Sequence, residues 1–202
     1  MMDRSSRLCA ILLLAASPFL CGIAVSADAE WTALLDGSAP ATLNNWSRIG
    51  VDNWRIEDGA VVADKQTVKD INFLISKMSY GDFQLRAEFW VDGDTRSGIL
   101  IRVLDPYRVH ARNSYDINIC DQCGDAGYGT GSIVNFAKVS PPVAAGGRWN
   151  TLEILAQGAH IVVTLNGAKT VDFIDSTFPG GPLALAYGGG VVKWRKVLIR
   201  AL

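Results

Sequence analysis

The sequence predicts an all-β protein built as a two-sheet antiparallel β-sandwich. Three observations carry this. Apolar residues recur at every second position in short runs, most cleanly where Phe83, Leu85, Ala87, Phe89 and Val91 alternate with Gln84, Arg86, Glu88 and Trp90. Clusters of Gly, Asp, Asn and Pro separate the runs, and these are turn-forming residues. No segment keeps apolar spacing of three and four over several turns, so no long helix is expected. About a dozen strands, each with one apolar and one polar face, bury their apolar faces by packing as two sheets.

The chain of 202 residues divides into an N-terminal segment and one domain. Residues 1–27 read as a secretory signal. Arg4 and Arg7 supply the positive start, an apolar run follows Leu8, and Val25-Ser26-Ala27 offers small residues for cleavage. Nothing after Ala27 approaches the length of a transmembrane span. Residues 28–202 then form a single β-sandwich domain, long enough to bury a core. They hold 17 basic and 19 acidic residues. That balance gives no basic patch for nucleic acid or anionic lipid.

The elements follow in order. Residues 31–35 form a first strand, stopped by Asp36-Gly37. Residues 54–56 and 60–63 flank Glu57-Asp58-Gly59, a hairpin turn. Strands at 72–76, 83–91 and 98–103 come next, and a polar loop occupies 104–114. In the run 115–121, Tyr115, Ile117 and Ile119 face one way and Asp116 and Asn118 the other. A glycine-rich loop at 120–131 and a strand at 132–137 precede Pro141-Pro142, which ends pairing. Strands at 149–156 and 161–165 form a hairpin, and Asn166-Gly167 turns the chain into residues 169–173. Residues 181–187 and 192–202 close the domain.

The polar side of the 115–121 strand is the candidate site. If the strands at 83–91 and 98–103 lie beside it, their outer faces add Glu88 and Arg102 to Asp116 and Asn118. Acids, a base and an amide would then share one surface. Cys120 and Cys123 are expected to pair as a local disulfide in an exported protein. A zinc site would need further soft ligands, and only His110 and His160 remain. No metal is assigned and no cofactor is called for, with a divalent cation left open. His110, in the loop over the polar face, is the better placed histidine.

The order of short motifs carries a family resemblance. Trp31-x-x-Leu-Leu-Asp-Gly, Trp54-x-x-Glu-Asp-Gly, Tyr80-Gly-Asp-Phe-x-Leu-x-x-Glu-Phe and Ser97-Gly-Ile-x-Ile-Arg come first. Tyr115-Asp-Ile-Asn-Ile-x-Asp, Gly131-Ser-Ile, Trp149-Asn, Leu165-Asn-Gly, Gly181-Pro-Leu-Ala-Leu and Trp194-Arg-Lys-Val-x-Ile follow. Together they resemble the 3-keto-disaccharide hydrolase domain family, which has a concanavalin A-like jelly-roll sandwich. The resemblance implies a periplasmic or secreted glycosidase whose partner is a carbohydrate oxidised at C3. It implies Asp116 as base and Arg102 as partner of the developing oxyanion. Glu88, Asn118, Asp121, Arg195 and His110 are then expected to bind the sugar. The chain also departs from the family. Asp116 and Asn118 stand where it usually has Glu and Gln, and Arg96, Ala186 and Lys196 replace its Asn, Gln and Asn.

Two other readings are compatible with the residues. One is a lectin-like module that binds glycan without turning it over, using Trp90, Trp46 or Tyr107 as stacking surfaces. The other is a structural cell-envelope protein with a solvated outer face. The spacing Asp116-x-Asn118-x-x-Asp121 also matches the acid triplet of laminarinase-type hydrolases, but with Asn in the middle and short side chains at both ends.

Overall fold

The structure, a computed structural model, describes residues 30–51, 54–65 and 71–202. The expected signal segment, residues 1–27, lies outside the described residues. Thirteen strands form two antiparallel sheets, with only two short 3₁₀ helices among the described residues. The strands are β1 Thr32–Asp36, β2 Trp46–Ile49, β3 Arg55–Glu57, β4 Ala60–Ala63, β5 Asn72–Tyr80, β6 Phe83–Val91 and β7 Ser97–Ile101. After them come β8 Tyr115–Ile119, β9 Arg148–Gln157, β10 His160–Leu165, β11 Ala168–Ile174, β12 Gly181–Tyr187 and β13 Val192–Ala201. The larger sheet runs β11-β10-β9-β6-β13-β4-β3, with β1 also paired to β13. The smaller runs β2-β5-β12-β7-β8. No helix among the described residues is long and apolar enough to cross a membrane.

The core lies between the sheets and is filled by the predicted alternations. Phe83, Leu85, Ala87 and Phe89 come from the larger sheet, and Ile99, Ile101, Tyr115, Ile117 and Ile119 from the smaller, all buried. Burying an aliphatic or aromatic side chain of this size contributes about 1.5–3 kcal/mol. Tyr115 packs edge-on against Phe136 and Phe178, and its hydroxyl donates to the Asp175 carboxylate. The two hairpin turns read from sequence adopt left-handed geometry, at Asp58-Gly59 and at Asn166-Gly167.

Three expectations need correction. Residues 132–137 are not a strand. Ile133 and Ala137 bridge each other across a tight turn in which Asn135 has φ 68°. Strand β2 had no clean alternation and was not expected. The strand bearing Glu88 belongs to the larger sheet, whereas Asp116 and Asn118 belong to the smaller. The polar positions of β6 and β8 therefore lie on opposite outsides of the sandwich.

Candidate active site

The smaller sheet builds the site through its register. Two rows of outward side chains cross it. One row is Asn118, Gly98, Ala186 and Phe73, and the next is Asp116, Leu100, Ala184 and Ile75. Gly98 and Ala186 leave a depression where larger residues would fill the face. Gly98 is required for the site: a Cβ there would stand 2.8 Å from Asp116 Oδ1 and 2.9 Å from the Ile117 carbonyl. The result is a cleft of about 690 Å³, lined by Arg96, Asp116, Asn118, the Cys120–Cys123 pair, Ala186 and Ile71.

Asp116 is the chemically distinctive group. Its backbone carbonyl accepts from Val134 N–H at 2.9 Å, which closes the outer edge of β8. Its half-buried carboxylate receives no hydrogen bond and no ion pair among the described residues. Across the ladder it faces Leu100. Burial among such neighbours penalises the charged form and raises its pKa from 3.8 to about 7. A carboxylate poised there can take or give a proton near neutrality.

Asn118 is half-buried beside it. Its amide nitrogen donates to the Tyr128 carbonyl at 2.5 Å and to Cys123 Sγ at 3.5 Å. The side-chain oxygen takes no hydrogen bond among the described residues and is available to a ligand. Cys120 and Cys123 form the disulfide expected, and it makes part of the cleft wall.

Arg102 is not in the cleft. It has φ 54°, so the alternation of β7 ends at Ile101 and the side chain turns off the outer face. Buried to 1 % exposure, its guanidinium donates to the carbonyls of Gly81 (3.0 Å), Gly158 (2.7 Å) and Phe178 (3.3 Å), and to Asp82 Oδ1 (3.2 Å). It binds three turns together and cannot serve as the oxyanion partner. Nothing in the sequence marks the left-handed residue that redirects it.

Glu88 and Arg195 pair with each other at 2.6 Å on the outside of the larger sheet, where Arg195 also stacks on Trp149. Asp121 spends its carboxylate on the Ala145 and Gly146 N–H groups and the Thr130 hydroxyl, pinning two loops. It therefore does not form a carboxylate pair with Asp116. Trp46 is core, with its indole N–H donating to the Leu34 carbonyl. Tyr107 is exposed on the 104–114 loop.

His110 and Asp116 line the same adjoining hollow, with the exposed His110 at its rim. Its Nδ1 accepts from Arg112 N–H at 3.1 Å, so the neutral ring carries its proton on Nε2. Sequence reasoning missed Arg96 as a site cation, seeing only a replaced Asn. Arg96 precedes β7 and lines the cleft, exposed, and its guanidinium has no partner among the described residues. No cluster of three or more His, Cys, Asp or Glu side chains suited to a metal ion occurs among the described residues.

A search of curated proteins gives no match. Among solved structures, two proposed glycosyl hydrolases from Parabacteroides distasonis are similar. One has 20 % identity and TM-score 0.72, over 85 % of this chain and 94 % of that one. The other has 24 % identity and TM-score 0.68, over 86 % and 100 %. The carbohydrate-binding module CBM66 from Bacillus subtilis has 18 % identity and TM-score 0.55, over 86 % and 97 %. At such identities the likeness speaks for the sandwich fold alone. Residues 30–200, the whole sandwich with its Asp116 cleft, match one family along their length: the chain belongs to the 3-keto-alpha-glucoside-1,2-lyase-like domain family.

Proposed function

We propose that the protein is a carbohydrate-active enzyme that cleaves 3-keto-glycosides by elimination across C1 and C2, with Asp116 as the base. The observation that carries this reading is the unpaired Asp116 carboxylate on the floor of the cleft. A ketone at C3 acidifies the C2 proton. Asp116 takes that proton, the C2–H electron pair becomes the C1=C2 double bond, and the C1–O bond breaks with its electrons on the leaving oxygen. That oxygen takes a proton from His110 Nε2–H or from water. Arg96 offers charge to the C3 oxygen as negative charge gathers there. Addition of water across the double bond then completes a hydrolysis.

The test is release of the leaving group from a 3-keto-glucoside by the protein without residues 1–27. Asp116→Asn is expected to lower kcat/KM by about 10²–10⁴-fold. The wild-type rate is expected to rise with pH through about 7, because only the ionised carboxylate accepts a proton. Release by Asp116→Asn equal to wild type sinks the assignment. The competing reading, a glycan-binding module without turnover, draws on the absence of Arg102 from the cleft. It expects saturable glycan binding with no release by either protein. The reading includes export to the periplasm or medium, supported by the signal-like N-terminus and by a disulfide suited to an oxidising compartment. An intact mass beginning at Asp28 checks it.

A further inference from the structure

The cleft at Asp116 has a second chamber whose chemistry differs from the first. It measures about 380 Å³ and is walled by Ile71, Phe73, Leu100, Val109 and Ala186, with His110 on its rim. The two chambers share Ile71, Asp116 and Ala186, so Asp116 stands at the divide. The larger chamber offers Arg96 and Asn118. Among the described residues, the smaller offers only His110 and Asp116 as side chains able to hydrogen-bond.

The sheet and one loop build this contrast. One step along the strands, from the Asn118 row to the Asp116 row, brings Leu100 rather than Gly98 beside the polar residue. Phe73, Ile75, Leu100, Val103, Ala184 and Ala186 form an apolar cluster outside the main core, and Val109 packs against it from above. The 104–114 loop is held over the cluster by its own bonds. Leu104 N–H donates to the Asn113 carbonyl at 2.9 Å, and Ser114 Oγ donates to the His110 carbonyl at 2.9 Å.

We infer that the smaller chamber receives the leaving group, and that the preferred substrates are 3-keto-glucosides of apolar cyclic alcohols rather than disaccharides. The inference rests on the elimination reading, since that chemistry puts the reacting sugar on one side of Asp116 and the aglycone on the other. A second sugar in the apolar chamber would lose water from several hydroxyls and find few partners to replace it. An apolar ring there gains by burial. His110 is placed to protonate the departing oxygen at the chamber mouth.

The test compares cyclohexyl 3-keto-α-glucoside, methyl 3-keto-α-glucoside and a 3-keto-disaccharide. The sugar released from the disaccharide is a more acidic alcohol than methanol or cyclohexanol, so intrinsic reactivity runs against the expected ranking and cannot produce it. The expected result is a kcat/KM for the cyclohexyl compound at least tenfold above the disaccharide. Val109→Asp is expected to erase that ratio through KM, and the near-isosteric Val109→Thr to reduce it by a smaller factor should the charged variant fold poorly. Equal turnover of cyclohexyl and disaccharide substrates, or an unchanged ratio in both variants, overturns the inference. If none of the three is cleaved, the elimination reading fails instead. The aglycone site is then decided by calorimetry with the unoxidised glycosides. At least tenfold tighter binding of cyclohexyl glucoside than of the disaccharide supports it, and equal binding overturns it.

Discussion

Both sheets turn a face to solvent, and both faces carry acids and bases, yet they handle charge in opposite ways. On the larger sheet the charges are matched across strands. Glu88 meets Arg195, Arg86 meets Glu153, and Arg55 meets Asp64. On the smaller sheet Asp116 has Leu100 opposite and Gly98 beside it, while Arg96 and the Asn118 oxygen also lack partners among the described residues. A paired surface charge is in its final state, whereas an unpaired half-buried one retains free energy that a ligand can release. Composition could not separate the faces, since both offer an acid, an arginine and small polar residues. Partnering does separate them.

Substitutions at the two faces and at Arg102 sharpen or break this contrast. The largest effect is expected at Arg102, a buried charge whose three guanidinium nitrogens all donate. Arg102→Ala takes the arginine donor from three carbonyls and leaves Asp82 Oδ1 with only the Gly158 N–H, and a loss of about 3 kcal/mol or more is expected in urea denaturation. A loss below about 1 kcal/mol would show that water replaces the guanidinium freely.

Asp116→Asn comes next and has the opposite sign. The folded pKa lies near 7 and the unfolded value near 3.8, so between them the native state holds a proton that the unfolded chain has released. Wild-type stability therefore falls as pH rises from about 4 to 7, and the cost is complete above 7. The ceiling for such a shift is about 4 kcal/mol, and solvent access through the cleft lowers it to about 2. Asp116→Asn is expected to gain about that much at pH 8.5 and nothing at pH 3.5. A pH-independent difference would show that desolvation is not the cause.

The smallest effects set the two faces side by side. Arg96→Met is expected to lower kcat/KM on a 3-keto-glucoside about tenfold, since the charge it removes is exposed before substrate binds. Glu88→Gln is expected to change the same quantity less than twofold and stability by less than about 1 kcal/mol, as for other exposed ion pairs. Equal losses in the two variants would break the contrast.

Much of the fold was legible because period-two alternation reports directly which residues face a core. Phe83 to Val91 and Tyr115 to Ile119 are buried in the predicted phase. Alternation separates inside from outside, but it does not say which sheet's outside. Glu88 was therefore assigned to the wrong surface, although its outward orientation was right. Arg102 failed for another reason: one left-handed residue ends the alternation, and an arginine in that conformation leaves no sequence signal. Asp116 was legible as an outward carboxylate on a strand. Its lack of partners was not, because that depends on register with Leu100 and Gly98. Arg96 lies just outside the strand, where alternation says nothing.

The Arg102 knot also bears on the order in which the molecule assembles. Its acceptors lie 20, 21, 56 and 76 residues away along the chain, on turns that belong to both sheets. Those bonds need strands distant in sequence to have met, so the knot is expected to close after the rate-limiting encounter rather than to nucleate it. Its contribution is then expected to fall on the barrier to unfolding, as a latch does, so that Arg102→Ala speeds unfolding in stopped-flow measurements and leaves the folding rate nearly untouched.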